Sequence, residues 1–248
     1  MDITYLLNSG FLIRDDRTLL IFDDFEDPAN VVDKIVKTND FDSLYIFVSH
    51  AHFDHFGTHI RAYAHQTTRY IFSYDLKHTK RIKIFPQNNI TLMKRYTEWQ
   101  DDNIKIWTYD STDVGVSFLV ETNTGKRIFH AGDFNWWHWE GDTAENNTMA
   151  ERMFKKQLKR MVGMEADVAF FPVDGRLGNS QEMGAKEFVA KTNIKYLIAM
   201  HRVNYPKWQP SEDFFGKREP LPVWAPVKSG ESITIANYEL RMRNEEYF

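Results

Sequence analysis

Leu44-Tyr45-Ile46-Phe47-Val48-Ser49-His50-Ala51-His52-Phe53-Asp54-His55 is the stretch that decides how this chain is read. Its five opening apolar residues have strand length and predict a central strand buried on both faces. The run breaks directly into four side chains of the kinds that ligate metal ions, His50, His52, Asp54 and His55. Residues at i and i+2 point the same way on extended backbone, so His50 and His52 predict one shared site. Asp54 and His55 are placed to turn toward a second ion as the chain leaves the strand. The competing reading is a polar loop that happens to hold three of the 9 histidines, and the strand-end context argues against it.

Outward from this motif, strands are expected at residues 3–7, 10–14 and 18–22, with a short helix over 28–37 started by Pro28. Beyond it, the pattern predicts a helix over 57–65 and strands at 69–72, 90–93 and 104–109. A hairpin at 114–121 and 127–130 turns on Asn123-Thr124-Gly125, residues that tolerate positive φ. Residues 143–162 read as an amphipathic helix with Met149, Met153, Phe154, Leu158, Met161 and Val162 on one stripe. A strand at 168–171, a helix over 181–191 and a strand at 196–200 then form a β-α-β unit that ends at His201. Each half is strand-rich first and helical afterwards, which predicts two sheets between outer helices with a site at the strand ends. No repeat or long linker divides the chain, so a single domain over 1–248 is expected.

Composition narrows the chemistry. The 248 residues carry 31 Lys and Arg against 35 Asp and Glu, a net charge of −4, which gives no bulk attraction to nucleic acid. Cysteine is absent, so disulfides, thiolate catalysis and Cys-based zinc or iron–sulfur sites are excluded, and His, Asp and Glu are the strong metal ligands left. No apolar run approaches the roughly 20 residues of a membrane span, and Met1-Asp2-Ile3-Thr4 lacks the features of a signal peptide. A cytoplasmic protein is expected, with a small-molecule substrate, no membrane or nucleic-acid partner, and a homo-oligomer as an open option.

The H-x-H-x-D-H string resembles the metallo-β-lactamase superfamily, and the resemblance can be followed along nearly the whole chain. It implies an α/β fold, the four-layer αβ/βα sandwich, with one or two metal ions that activate water. The later motifs of that superfamily are an Asp after a strand, often as Gly-Asp, and a His at the end of a late strand. Gly132-Asp133 and His201 match them. By that match Asp133 bridges two ions and His201 joins Asp54 and His55 on the second, with Asp54 and His201 at the catalytic positions. Asp54 is a ligand that also orients or accepts the proton. The remaining ligand is normally a His between the first motif and the bridging Asp, and here the chain departs from the pattern: Ser111-Thr112-Asp113-Val114-Gly115 occupies its place. Asp113 is the natural substitute, with His130 as the rival and a plain turn residue as the bland alternative. The metal set implied is His50, His52, Asp54, His55, Asp113, Asp133 and His201, holding two divalent ions, zinc first, with manganese or iron made more competitive by the extra carboxylate.

Asn135-Trp136-Trp137-His138-Trp139 follows the Asp, and Trp136, Trp137 and Trp139 are expected to wall a substrate site or else to pack the loop. Arg176 and Arg202 follow strand ends and are expected to fork onto a substrate carboxylate or phosphate, the ordinary alternative being surface salt bridges. The expected activity is hydrolysis of a small anionic ester, lactone or phosphodiester. An iron-dependent oxidoreductase on the same fold, or a metal-binding protein without catalysis, are the alternatives.

Overall fold

The computed structural model describes residues 1–202, 205 and 207–235; residues 236–248, which the expected single domain includes, lie outside the described residues. The chain opens with β1 (Asp2–Tyr5), β2 (Phe11–Asp15) and β3 (Thr18–Phe22), passes through α1 (Val31–Thr38), and continues with β4 (Ser43–Val48), β5 (Arg69–Ser73) and β6 (Ile90–Met93). Then come β7 (Glu98–Gln100), β8 (Ile104–Asp110), β9 (Val116–Thr122), β10 (Arg127–His130), α2 (Ala144–Leu158), β11 (Glu165–Ala166) and β12 (Val168–Pro172). The last elements are α3 (Met183–Lys191), β13 (Asn193–Ile194), β14 (Leu197–Met200), β15 (Val223–Trp224) and β16 (Ser232–Thr234).

Two seven-stranded sheets result, in the orders β16-β1-β2-β3-β4-β5-β6 and β15-β14-β12-β10-β9-β8-β7, with β11 and β13 as a small separate pair. Each sheet is antiparallel in one half and parallel in the other: β3, β4, β5 and β6 run parallel in the first, as do β10, β12, β14 and β15 in the second. The parallel strands deliver their carboxyl ends, and the loops that follow, to one edge of the sandwich.

β4 shows why the opening apolar run forms a central strand. Tyr45 and Phe47 point into the core between the sheets, while Leu44, Ile46 and Val48 point outward to a second core beneath α1, with Val32 and Val36. Between the sheets Phe47 stacks on Phe22 at 4.4 Å and meets Phe118 edge-on at 5.3 Å. On the far face of the second sheet Phe188 of α3 stacks on Phe129 and Phe171, and Phe154 of α2 stacks on Phe134. The order of layers is helix, sheet, sheet, helices, the expected αβ/βα sandwich.

Two local expectations differ. The helix expected over 57–65 is a short 3-10 helix, Thr58–Tyr63, a piece of the kind used as a connector. The helix expected over 143–162 ends at Leu158, and only part of the anticipated stripe is buried: Phe154 and Leu158 of α2 and Met161 beyond it are covered, whereas Met149 and Met153 of α2 and Val162 beyond it are exposed. The helix is capped by Thr143, whose hydroxyl accepts from Asn146 N at 3.1 Å, and touches the sheet along a narrower line than its apolar content suggests. Among the described residues no helix is long and apolar enough to cross a membrane.

Candidate metal centre

Parallel pairing of β3 with β4 aligns Phe22 with Phe47, so the residues just past the two strands meet. Asp23 is fully buried there and accepts hydrogen bonds from Ser49 N at 2.7 Å and Ser49 Oγ at 2.6 Å. Its Oδ2 also lies 2.7 Å from His55 Nδ1. That contact assigns the proton of His55 to Nδ1 and leaves Nε2 as an acceptor, the usual way a supporting carboxylate sets a ligand imidazole. In the second sheet β12 and β14 align Pro172 with Met200, and Asp174 then stands 3.0 Å from His201 Nδ1, with the same consequence for His201 Nε2. Burial works against the charge on Asp174, but hydrogen bonds from His201 and Arg176 outweigh it and hold the carboxyl down at about 2.

Asp133 sits between the two groups of imidazoles. Its Oδ2 is 3.4 Å from His50 Nε2, and its Oδ1 is 3.1 Å from His55 Nε2 and 3.6 Å from His201 Nε2. His50, His52, Asp113 and Asp133 place one ligand atom each within 4.8 Å of one another, and so do Asp54, His55 and His201. The structure thus brings together all seven residues expected to ligate.

Asp113 reaches this cluster because of Gly115. Its φ is +84°, and a Cβ there would stand 2.0 Å from Ser49 O; only glycine allows the β8–β9 loop so close, where Val116 N donates to Ser49 O at 3.0 Å. His130, the rival, is committed elsewhere: Nε2 lies 2.9 Å from Ser9 O, Nδ1 accepts from Gly132 N at 3.2 Å, and the ring stacks on Phe22. We expect Asp113→Ala to weaken metal binding at the His50/His52 group and Asp113→His to retain it with a preference shifted toward zinc, while His130→Ala leaves metal content unchanged. Metal analysis of the three variants decides; loss of an ion only from His130→Ala would reverse the assignment.

A cation fits these residues. His55 Nε2 and Asp133 Oδ1 are buried, face each other at 3.1 Å and have no other hydrogen-bond partner, an arrangement that favours a shared cation between them. Burial disfavours a charged His55, yet the carboxylates of Asp133 and Asp23 overcome this and hold its pKa well above the ordinary 6.5; a proton there takes the place a metal ion fills. Burial pushes His50 down to about 4, helped by His55, so its imidazole is neutral and free to ligate near pH 7. Burial, and then the nearby Asp133, raise the pKa of Asp113, which marks a centre rich enough in carboxylates to call for positive charge.

A cavity of about 550 Å³ opens over the cluster, walled by Phe53, Thr112, Trp137, Trp139 and Arg176. Trp137 donates its indole N–H to Asp133 O at 3.0 Å and stacks on Trp139. Arg176 lies over the Trp139 ring at 5.4 Å, with Nε and Nη2 on Asp174. Two expectations are corrected. Trp136 does not wall the cavity; it is buried and stacks on Phe154 of α2, and the chain turns directly after it, with His138 N donating to Trp136 O at 2.8 Å. Arg202 does not face the substrate side either: it is buried and donates from Nη1 to Val173 O at 3.0 Å. His201 has φ +61°, and this turn sends the next side chain beneath the end of β12.

The sequence reading passed over Asp23, Asp174 as the partner of His201, and Phe53, which stands 82% exposed at the cavity mouth. A carboxylate directly after an apolar strand was the available signal for Asp23.

No family model matches the chain, and no curated protein matches it. Among solved structures it is similar to Igni18, a metallo hydrolase from the archaeon Ignicoccus hospitalis, at 17% identity over 95% of this chain and 98% of that one, with a TM-score of 0.66. It is similar to the metallo-beta-lactamase fold protein YhfI from Bacillus subtilis, at 13% identity over 94% and 99% of the two chains and a TM-score of 0.57. A third likeness is to CmlA, a diiron beta-hydroxylase from Streptomyces venezuelae, at 9% identity over 81% and 44% of the two chains and a TM-score of 0.53. With its two half-parallel sheets, its outer helices and its His/Asp cluster at the strand ends, the chain has the metallo-β-lactamase fold.

Proposed function

We propose that the chain is a metal-dependent hydrolase with a two-ion centre, zinc first among the candidates, acting on a small anionic ester, lactone or phosphodiester. The observation that carries this reading is Asp133, whose two carboxylate oxygens face different groups of imidazoles. Bound ions at such a centre supply a water acidified toward neutral pH and a Lewis acid for the scissile oxygen. The protein's own groups do the rest. Asp23 and Asp174 hold the two imidazoles in their tautomers. Asp54, half-buried, accepts from Asn8 Nδ2 at 3.2 Å and has Oδ2 3.7 Å from His201 Nε2; it faces the cavity and is the group placed to take and return a proton. Arg176 Nη1 makes no hydrogen bond among the described residues and is available to one substrate anion. The rings of Phe53, Trp137 and Trp139 cover apolar substrate surface and limit water.

The test is metal content by elemental analysis, followed by turnover of a panel of lactones, carboxylic esters, phosphodiesters and phosphomonoesters. We expect about two divalent ions per chain and hydrolysis of at least one class. Replacing Arg176 by Ala should lower kcat/KM by roughly 10- to 150-fold, the loss of one hydrogen bond to a charged group, with metal content retained. The likeness to CmlA and the carboxylates Asp54, Asp113 and Asp133 favour one second reading, an iron-dependent oxidoreductase. Iron in the purified protein with oxygen uptake, and no hydrolysis, would establish it instead.

A further inference from the structure

Beside the cavity over the metal cluster lies a second, smaller one of about 240 Å³, formed between α2 and the loops that carry Thr112 and Trp137. The two cavities share Thr112 and Trp137 as common wall. That wall is apolar, because both residues have spent their polar atoms on the backbone. The Thr112 hydroxyl donates to Asn135 O at 2.6 Å and accepts from Asn135 N at 2.9 Å, and the Trp137 N–H is on Asp133 O. A methyl group and an indole ring are what remain to meet a ligand passing from one cavity to the other.

The far wall is made by Met149, Ala150 and Met153 of α2. The two methionines are one helical turn apart, on the same face, and are 57% and 44% exposed. Ala150 leaves a shallow floor between them. Methionine is unbranched and polarizable, and it adapts to flexible apolar partners. No Lys, Arg, Asp or Glu lines this slot; the nearby Lys155 turns away to pair with Glu151 and cover Trp136. Besides Thr112, the polar residues of the lining are Asn135 and Asn146: the Asn135 side-chain amide is buried without a hydrogen-bond partner, its Oδ1 against Gly184 of α3, and Asn146 places its amide Nδ2 on Asp142.

We propose that the slot between Met149, Met153 and Trp137 receives the straight aliphatic chain of an acyl substrate whose carbonyl end lies at the metal cluster. The proposal rests on the hydrolase reading above and narrows its substrate class to acyl esters or lactones. The occupant follows from three features: adjacency to the metal cavity, with Thr112 and Trp137 as the shared wall, absence of Lys, Arg, Asp and Glu from the slot lining, and a lining suited to a chain rather than to a flat rigid ring. A nucleotide or a sugar phosphate would leave its polar groups against methionine.

Two measurements on the metal-loaded protein test it. The first is binding of straight-chain carboxylates from acetate to octanoate, followed by tryptophan fluorescence or calorimetry. The second is kcat/KM for p-nitrophenyl esters of the same acids. In the wild-type protein Kd should fall about three- to fourfold for each methylene added beyond butyrate until the slot is filled. The double change Met149→Gln with Met153→Gln, both at exposed positions, should flatten that slope. Val162→Gln, at an exposed residue outside the slot, should leave it intact. Equal affinity for acetate and hexanoate in the wild type, or a slope that survives the double change, overturns the proposal. Chain-length-dependent carboxylate binding without turnover of the esters, or of any class in the panel above, would uphold the slot and remove the hydrolase reading; ester turnover independent of chain length would uphold the hydrolase reading and overturn the slot.

Discussion

On the proposed two-ion hydrolase reading, changing Asp133 to Asn should yield a folded protein in which metal binding and hydrolysis are lost together. Among the described residues Asp133 is the one carboxylate paired with His50 on one side and with His55 and His201 on the other, so one substitution removes the negative charge common to both groups. The loss should exceed the 10- to 100-fold in metal affinity or activity that follows from disturbing a group behind a ligand. Thermal unfolding gives a readout independent of turnover. A metal that binds only the native state stabilises it by about 2.7 kcal/mol at one hundred times its Kd, so added zinc should raise the Tm of the wild-type protein and leave that of Asp133→Asn unmoved. A zinc-dependent rise of equal size in the variant would show that Asp133 does not join the two groups.

Asp23→Ala should be the most destabilising single change at the site. Its carboxylate is buried without exposure, accepts two hydrogen bonds from Ser49 and faces the Nδ1 of His55. Burial alone would raise its pKa, but the neighbouring His55, followed by His130 and His50, pulls it below the ordinary 3.8. Removing the carboxylate leaves the buried Ser49 N–H without its acceptor and His55 Nδ1 with the Ser49 hydroxyl alone, at 3.4 Å, at a cost on the order of 3–5 kcal/mol. The urea midpoint should fall accordingly with the m-value unchanged. Asp23→Asn keeps one acceptor oxygen and should lose less. An Ala variant with the wild-type midpoint would mean that Ser49 and His55 find other partners.

Much of this molecule is legible along the chain. The run 44–48 is apolar at every position because β4 has a core on both faces, and no tertiary information is needed to read that. The ligand types of the H-x-H-x-D-H stretch stand next to the strand that carries them, and an i, i+2 pair on extended backbone shares a direction by geometry alone. Asp133 and His201 were picked out through the resemblance to the metallo-β-lactamase superfamily, whose later motifs they match, and the missing cysteines closed off the other metal chemistries.

What the tertiary structure decided are pairings between residues far apart in sequence. Nothing near Asp23 says that it supports His55; the parallel register of β3 against β4 brings them together, as the register of β12 against β14 brings Asp174 to His201. The choice of Asp113 over His130 at the cluster turned on Gly115, whose missing Cβ lets one loop lie against Ser49, and on the stacking of His130 over Phe22. Direction was equally hidden. Trp136 and Trp137 are adjacent and alike in chemistry, yet one packs under α2 and the other walls the cavity, and Arg202 folds back where Arg176 does not. Periodicity reports that a helix has an apolar side, as α2 does, but which part of that side meets a sheet depends on how the layers dock. Residue type and local spacing therefore determined the fold class and the ligand inventory, whereas register, loop approach and docking decided which atoms meet, because those are set by packing between segments that the local chain does not encode.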